Sequence, residues 1–156
     1  MLIAMEDSDF SDLISASPPR GLRLPDSEVA PVAVLEALRS LAASIGTEFT
    51  PPAWMFVEDG EVVGICSIVK PCVEGAIEIG YGVAPTRQGK GVTSRALAEL
   101  VTWAKNDDRV REILAECSID NTASQIVLAR NGFVKTGQRM DEEDGSLICW
   151  SATGLG

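Results

Sequence analysis

The stretch Arg87-Gln88-Gly89-Lys90-Gly91-Val92-Thr93-Ser94 carries the clearest chemistry in this chain. Two glycines let the backbone turn so that several N–H groups converge on one point. An amphipathic helical pattern starts directly behind them, and a helix N-terminus adds free amides and a positive dipole end. Such a loop suits a pyrophosphate, with Lys90 and Arg87 as charge support. Taken alone, it equally describes a glycine-rich surface turn between a strand and a helix. It is not a Walker A sequence, which ends in Gly-Lys-Ser/Thr. Nor is it a dinucleotide fingerprint, because no glycine follows Gly91 three residues on.

Other chemistries are removed by what the chain lacks. There is no histidine, so imidazole bases, histidine-containing triads and histidine-rich metal sites are excluded. Cys66, Cys72, Cys117 and Cys149 are too widely and irregularly spaced for a zinc site, and no metal is expected. Cys117 has no cation or histidine indicated beside it and reads as a buried thiol rather than a nucleophile. Asp141-Glu142-Glu143-Asp144 reads as a solvated hairpin tip rather than a cation site. Trp54, Trp103 and Trp150 lie far apart and read as core or interface anchors rather than a base-stacking set.

A chain of 156 residues is about one ordinary domain, so a single domain over 1–156 is expected. With 46% apolar and 23% charged residues, it has the balance of a globular protein. Lys plus Arg number 13 against 23 for Asp plus Glu, a formal charge of −10. That disfavours nucleic-acid phosphates as partners and suits cationic or amine-bearing ones. The acidic start, Met1 to Phe10, lacks the pattern of a secretory leader, and no apolar run is long enough to span a bilayer. No membrane partner is expected, and the expected location is the cytoplasm.

These features need elements to position them. Leu2–Ala4 suggests a short edge strand, whereas Glu6–Asp12 is too acidic to assign. Ser17-Pro18-Pro19-Arg20-Gly21 reads as a loop. Between Glu28 and Ile45, the residues Val29, Val32, Leu35, Leu38, Ala42 and Ile45 fall at helical spacing. Pro31 is tolerable only in a first turn, so that helix should begin near Ala30. Strands follow at Trp54–Val57, Val62–Val69 and Ala76–Ala84, separated by turns at Glu58-Asp59-Gly60 and Pro71–Gly75. Val92–Lys105 is a helix with Ala96, Leu97, Leu100, Val101 and Ala104 on one face. Arg111–Cys117 alternates as a strand, and Asn121–Asn131 is a shorter helix closed by a left-handed Asn131-Gly132 cap. Phe133–Arg139 and Ser146–Ser151 form a last hairpin around Asp144-Gly145. The order predicts one mixed α/β domain around a central sheet.

In this setting the motifs become recognisable. Gln88-Gly89-Lys90-Gly91-Val92-Thr93 resembles the Q/R-x-x-G-x-G/A motif of the Gcn5-related N-acetyltransferase (GNAT) superfamily, which cradles the pyrophosphate of acetyl-CoA. Glu78-Ile79-Gly80-Tyr81-Gly82-Val83 resembles the strand before that motif. Asn121-Thr122-Ala123-Ser124 through Asn131-Gly132-Phe133 resembles the later N-x-x-S/A…G-F helix. The resemblance runs from about Ala53 to Trp150 and is closest to the branch of ribosomal-protein N-terminal acetyltransferases. Thr93 departs from the usual Gly or Ala, and Leu128 stands where many members carry a tyrosine resembling a general acid. Met1–Thr50, the region that usually shapes the acceptor site, matches nothing strongly.

The resemblance implies an α/β (α+β) acyl-CoA N-acyltransferase fold. Its sheet is mixed but mostly antiparallel, with helices on both faces and a splayed strand pair, Ile77–Ala84 and Arg111–Cys117, that takes the pantetheine arm. It implies acetyl-CoA as cosubstrate, an amine-bearing acceptor, direct transfer in a ternary complex, and a homodimer through late strands. Gln88, Gly89, Lys90, Gly91, Val92 and Thr93 would hold the pyrophosphate, while backbone groups of Tyr81, Gly82 and Val83 would line the pantetheine, one N–H near Tyr81 facing the oxyanion. Glu78 is the preferred base for the amine proton, directly or through water, and equally reads as a strand glutamate in an ion pair or facing solvent. Glu74 and Glu116 are weaker candidates. Ser124 would hydrogen-bond the thiol sulfur, or satisfy its hydroxyl on the carbonyl one helical turn back. Asn121 reads as an N-cap that is also compatible with a pantetheine contact. A non-catalytic acyl-CoA-binding sensor is the alternative function.

Overall fold

A computed structural model describes residues 1–155. The strands are β1 (Leu2–Ala4), β2 (Ala53–Glu58), β3 (Glu61–Val73), β4 (Ala76–Val83), β5 (Glu112–Ser118), β6 (Val134–Asp141) and β7 (Gly145–Ala152). The helices are α1 (Asp7–Ile14), α2 (Val32–Ile45), α3 (Val92–Lys105) and α4 (Thr122–Arg130). The seven strands form one sheet in the order β1-β2-β3-β4-β5-β7-β6. Every neighbouring pair is antiparallel except β4 and β5, which run parallel because α3 crosses between them.

Alternation along the strands supplies the two faces. On β2, Trp54 and Phe56 join a core with Leu97 and Leu100 of α3 and Leu128 of α4. Met55 and Val57, one residue out of step, join a second core with Phe10 of α1 and Leu35 of α2. Helices therefore cover both faces, as expected. The tryptophans are anchors: Trp54 meets Trp103 edge-on at 4.9 Å between ring centroids, and Trp150 is buried and donates from Nε1 to Cys117 Sγ at 3.2 Å.

Several boundaries differ from expectation, each for a local reason. The unassigned acidic segment is helical. Glu6 caps α1, its N–H donating to Asp9 Oδ2 at 2.8 Å, and Arg20 clamps the buried Asp9 carboxylate through two nitrogens at 3.0 and 2.7 Å. Acids in a first turn favour a helix, and Phe10 and Leu13 pack beneath. Pro31 lies outside α2, as its cap, so the helix starts at Val32 rather than near Ala30, and Val32 is exposed rather than on the apolar face. Strand β3 runs on through Pro71 to Val73, where a turn was expected. Register shifts after Ile68 and after Lys70 accommodate the proline, and the turn sits at Glu74-Gly75 with φ of +51° and +83°. No helix of the described residues is long and apolar enough to cross a membrane.

Candidate active site

The parallel pairing of β4 with β5 is short. It runs from Ala76↔Glu112 to Ile79↔Ala115 and stops. Beyond it, β4 continues against β3 as far as Val83↔Gly64, and β5 against β7 as far as Ser118↔Leu147. The strands thus diverge, leaving Gly80–Val83 facing Glu116–Ser118 across a gap. Ala84 N–H donates to Val63 O at 2.8 Å, so strand alternation turns the amides and carbonyls of Val83 and Tyr81 the other way, into the gap. Gly82 contributes by what it lacks, since a Cβ there would meet no atom within 4 Å.

At the wide end of the gap lies the glycine loop. Gly89 and Gly91 have φ of +74° and +76°, and Gly91 caps α3 in the left-handed conformation. The first helical bond of α3 is Arg95 N–H to Gly91 O at 3.1 Å. The amides of Val92, Thr93 and Ser94 precede it and have no intrahelical acceptor. Gln88 Nε2 donates to Val83 O at 3.2 Å, tying the loop to the end of β4. A cleft of about 860 Å³ joins loop and gap, lined among others by Gln88, Gly91, Thr93, Tyr81, Cys117 and Ser124.

The charged residues of the loop are placed differently from expectation. Arg87 is committed to Glu61, through Nε at 2.5 Å and Nη2 at 3.1 Å, with Asp26 at 3.6 Å. It braces the loop against β3 rather than standing free for a diphosphate, and it holds the Glu61 carboxyl below the ordinary glutamate range. Lys90 is exposed and outside the cleft lining; its carbonyl accepts from Arg95 Nη2 at 2.9 Å. Arg95 itself is spent on Glu58, at 2.7 Å through two nitrogens. With Arg87 and Arg95 paired, the uncommitted positive groups of the loop are its amides and the exposed Lys90 ammonium.

Glu78 and Tyr81 lie on opposite faces of β4. Glu78 lines the cleft, 15% exposed, with Lys70 Nζ at 3.5 Å. It is in an ion pair, as one of its two readings has it, and it lines the cleft. Glu116 also lines the cleft but is held by Arg139 through both carboxylate oxygens and accepts from Cys149 Sγ at 3.5 Å. Arg139 keeps its carboxyl below the usual range, which makes it a poor base. Glu74 is exposed at its turn and outside the cleft lining.

On the other face, Asn121 caps α4, its Oδ1 accepting from Ser124 N–H at 3.0 Å, and both residues line the cleft. The Ser124 hydroxyl does not turn back to a helix carbonyl. It meets the Tyr81 hydroxyl at 2.6 Å, bridging α4 to β4. Burial pushes the Tyr81 phenol up to about 12 against an opposing effect from Ser124, and the Cys117 and Cys66 thiols raise it further. Leu128, in the place of a tyrosine, is fully buried in the core. Asp141 accepts from the Glu143 and Asp144 amides at 3.1 and 2.9 Å, closing the acidic tip as a turn. Among the described residues no cluster of His, Cys, Asp or Glu is arranged to hold a metal.

The raised Tyr81 value has a consequence for stability. Between an ordinary tyrosine pKa near 10 and about 12, the unfolded chain loses the phenolic proton while the folded protein keeps it. The contribution is fully present below pH 10 and is lost as pH rises towards 12, by roughly 2–3 kcal/mol. Urea melts at pH 9 and 11.5 should show a steeper alkaline loss for the parent than for Tyr81→Phe; equal losses would contradict the burial argument.

A divergent parallel pair leading to free amides at a helix start is the geometry that the motifs implied, and sequence comparison agrees. Residues 1–134 match the acetyltransferase (GNAT) domain family. The chain belongs to the GNAT family. Among curated relatives, this GNAT chain is 33% identical over 86 residues to the ribosomal-protein-serine acetyltransferase of Escherichia coli, covering 54% of this chain and 48% of that protein. The chain spans about half the length of the curated relatives it matches. Among solved structures, RimL, a ribosomal α-N-protein acetyltransferase in complex with coenzyme A, aligns with TM-score 0.71 at 20% identity over 97% of this chain and 92% of that one. Aminoglycoside acetyltransferase AAC(6')-Ib with coenzyme A and kanamycin aligns with TM-score 0.70 at 17% identity, covering 99% and 94%. At these identities the structural likeness shows the GNAT fold.

Proposed function

We propose that this GNAT protein is an N-acetyltransferase that moves an acetyl group from acetyl-CoA to a primary amine by direct transfer in a ternary complex. The divergence of β4 from β5 after Ile79 and Ala115, opening onto the α3 amides, is the observation that carries this reading. A diphosphate fits there because the site offers free amides and a helix dipole end, with the uncommitted Lys90 beside them. Acetyl-CoA bound there would supply an activated thioester. The Gln88–Thr93 loop holds the diphosphate, Asn121 and the β4 edge orient the pantetheine, and a main-chain N–H near Tyr81 stabilises charge developing on the carbonyl oxygen.

The two faces of β4 divide the remaining work. Glu78 takes the amine proton on one face, and Ser124 meets the sulfur on the other, so acceptor and leaving group approach from opposite sides. Holding both in line is the largest contribution, since positioning alone is worth several powers of ten. A free α-amine, with a pKa near 8 against about 10.4 for lysine, makes the smaller demand on Glu78 as a base. Small-molecule amines or protein N-termini are therefore the favoured acceptors, and the negative net charge suits a cationic one. The cytoplasm is the proposed location. A homodimer is supported by the unpaired outer edge of β6, where Val134 and Met140 are exposed.

The buried Leu128 favours the second reading, a non-catalytic acyl-CoA sensor. Thermal shift with acetyl-CoA, CoA and ATP, followed by thiol release across a panel of amines, separates the possibilities. Stabilisation by the two coenzyme A species but not ATP, with amine-dependent thiol release, is expected. Stabilisation without turnover on any amine would favour the sensor, and indifference to both coenzyme A species would end both readings.

A further inference from the structure

Between α3 and the edge strand β1 lies a second concavity, an open groove of about 750 Å³ that shares no residue with the active-site cleft. Leu2 and Ala4 of β1 form its floor with Trp54 of β2. The register, Leu2↔Phe56 and Ala4↔Trp54, puts all three on the sheet face that α3 covers. Ala98, Thr102 and Trp103 of α3 form the wall, and the small, exposed side chains of Ala4 and Ala98 leave the space between. The polar groups here are either spent or free. Glu99, the one charged residue of the lining, is turned to the start of β1: Oε2 accepts from Leu2 N–H at 2.7 Å, and Oε1 lies 3.1 Å from the Met1 amine. The Thr102 hydroxyl donates to Ala98 O at 3.0 Å, within its own helix. The indoles differ. Trp150 finds an acceptor in Cys117 Sγ, whereas neither Trp54 nor Trp103 has one among the described residues. Trp54 is only 3% exposed. Among the described residues, the one sealed side-chain atom without a partner is Ser67 Oγ, so the Trp54 N–H is not sealed and opens on the groove that Trp54 lines. A donor that ends in an apolar recess is a place for an acceptor.

We infer that this groove is a second binding site, for a small, flat, neutral molecule whose apolar body lies against Trp103 and the β1 floor and whose carbonyl or ring oxygen accepts from the Trp54 N–H. The chemistry of the lining selects that class. A cation finds no free carboxylate, because Glu99 is committed, and an anion finds no cation among the lining residues. The two indole N–H groups can only donate, so the ligand must accept. Aromatic and aliphatic walls supply affinity through buried area, and the N–H supplies orientation. A polypeptide strand is a poorer occupant. The outward groups of β1 are already taken, Leu2 N–H by Glu99 and Ala4 O by Arg20 Nη2 at 3.0 Å, and an added strand would have to displace both. The site stands apart from the acetyltransferase reading, since none of its residues touches the cleft where the transfer is placed.

The test uses the full chain and its three tryptophans. With nitrogen-15 in the indoles, each N–H gives one NMR signal, assigned with Trp54→Phe and Trp103→Phe. Titration with 1-indanone, a flat ketone of this class, should displace the Trp54 and Trp103 signals with a dissociation constant of roughly 0.1–1 mM. The Trp150 signal, held by Cys117, should stay in place and reports an intact core. 1-Aminoindane, the same skeleton with an ammonium in place of the carbonyl, should bind at least about tenfold more weakly. Trp54→Phe keeps an apolar wall without the donor and should weaken 1-indanone roughly 3–10-fold, read at Trp103. Ala98→Phe fills the groove from an exposed helix position and should abolish the response, so it remains informative should Trp54→Phe fold poorly. A Trp54 signal unmoved by 1-indanone up to about 10 mM, ten times the weakest expected constant, would overturn the proposal. So would an undiminished response in Ala98→Phe, or tighter binding of 1-aminoindane than of the ketone. None of these outcomes touches the acetyltransferase reading, which is decided by coenzyme A binding and thiol release.

Discussion

Replacing Gly91 with valine is expected to weaken coenzyme A binding by roughly 10²–10⁴-fold while leaving the protein folded. Gly91 caps α3 at φ +76°, a region in which a β-branched residue is a genuine outlier. A Cβ there would also approach Arg95 Nη1 at 2.7 Å, although that is the end of a flexible side chain and can withdraw. The chain relieves the strain by leaving the left-handed region, which rotates the amides of Val92 and Thr93 away from their common focus. Each lost hydrogen bond to a diphosphate is worth about 1.5–3 kcal/mol, so two account for the range. Calorimetric titration with CoA measures it. Gly21→Val, at φ +72° and outside the cleft lining, carries comparable backbone strain and should leave the affinity alone. If Gly91→Val binds CoA as tightly as the parent, the start of α3 is not where the diphosphate rests.

Glu78→Gln should lower kcat by roughly 10²–10⁴-fold at neutral pH, the usual worth of a positioned base, with the dissociation constant for CoA unchanged. Glutamine keeps the shape and lining of the cleft but cannot take a proton. It also leaves Lys70 Nζ, now at 3.5 Å from the carboxylate, without its charge partner; Lys70 is mostly exposed, so little stability should follow. The deficit should shrink as pH approaches the pKa of the acceptor, because the neutral amine is then supplied by the solvent. An α-amine would show this recovery near pH 8, a lysine-like amine only above pH 10. A pH–rate series for parent and variant with one acceptor of each kind would check this. Full activity of the variant throughout would remove Glu78 from the chemistry.

The parts of the site that could be read in advance are those whose signal is local. Gly89 and Gly91 report a backbone need at their own positions, and Asn121 is written three residues before the amide it caps. The diverging strands were legible only through resemblance, since nothing in Ile79 or Ala115 says that pairing ends there. Contacts across long stretches of chain were hidden for the same reason. Tyr81 and Ser124 are 43 residues apart, and a serine in a first helical turn has an ordinary partner one turn back. Arg87 looked available because Glu61, 26 residues earlier, gave no sign of reaching it. Helix α1 is hidden in the sequence because the acidity of Glu6–Asp12 masks the two apolar residues, Phe10 and Leu13, that it buries. The buried Asp9, clamped by Arg20, shows that these charges are used within the fold.

The brevity of the β4–β5 ladder has a mechanical meaning. Four residue pairs join a plate of β1–β4 to a plate of β5–β7; away from them, helix packing carries the junction. Thermal opening concentrates along this seam, because inside the sheet it has the fewest rungs to break, only the edge pair β1–β2 having fewer. A molecule lodged in the wedge with its own amides supplies the missing rungs and stiffens the whole assembly. Occupancy of the seam and rigidity of the protein are therefore a single equilibrium.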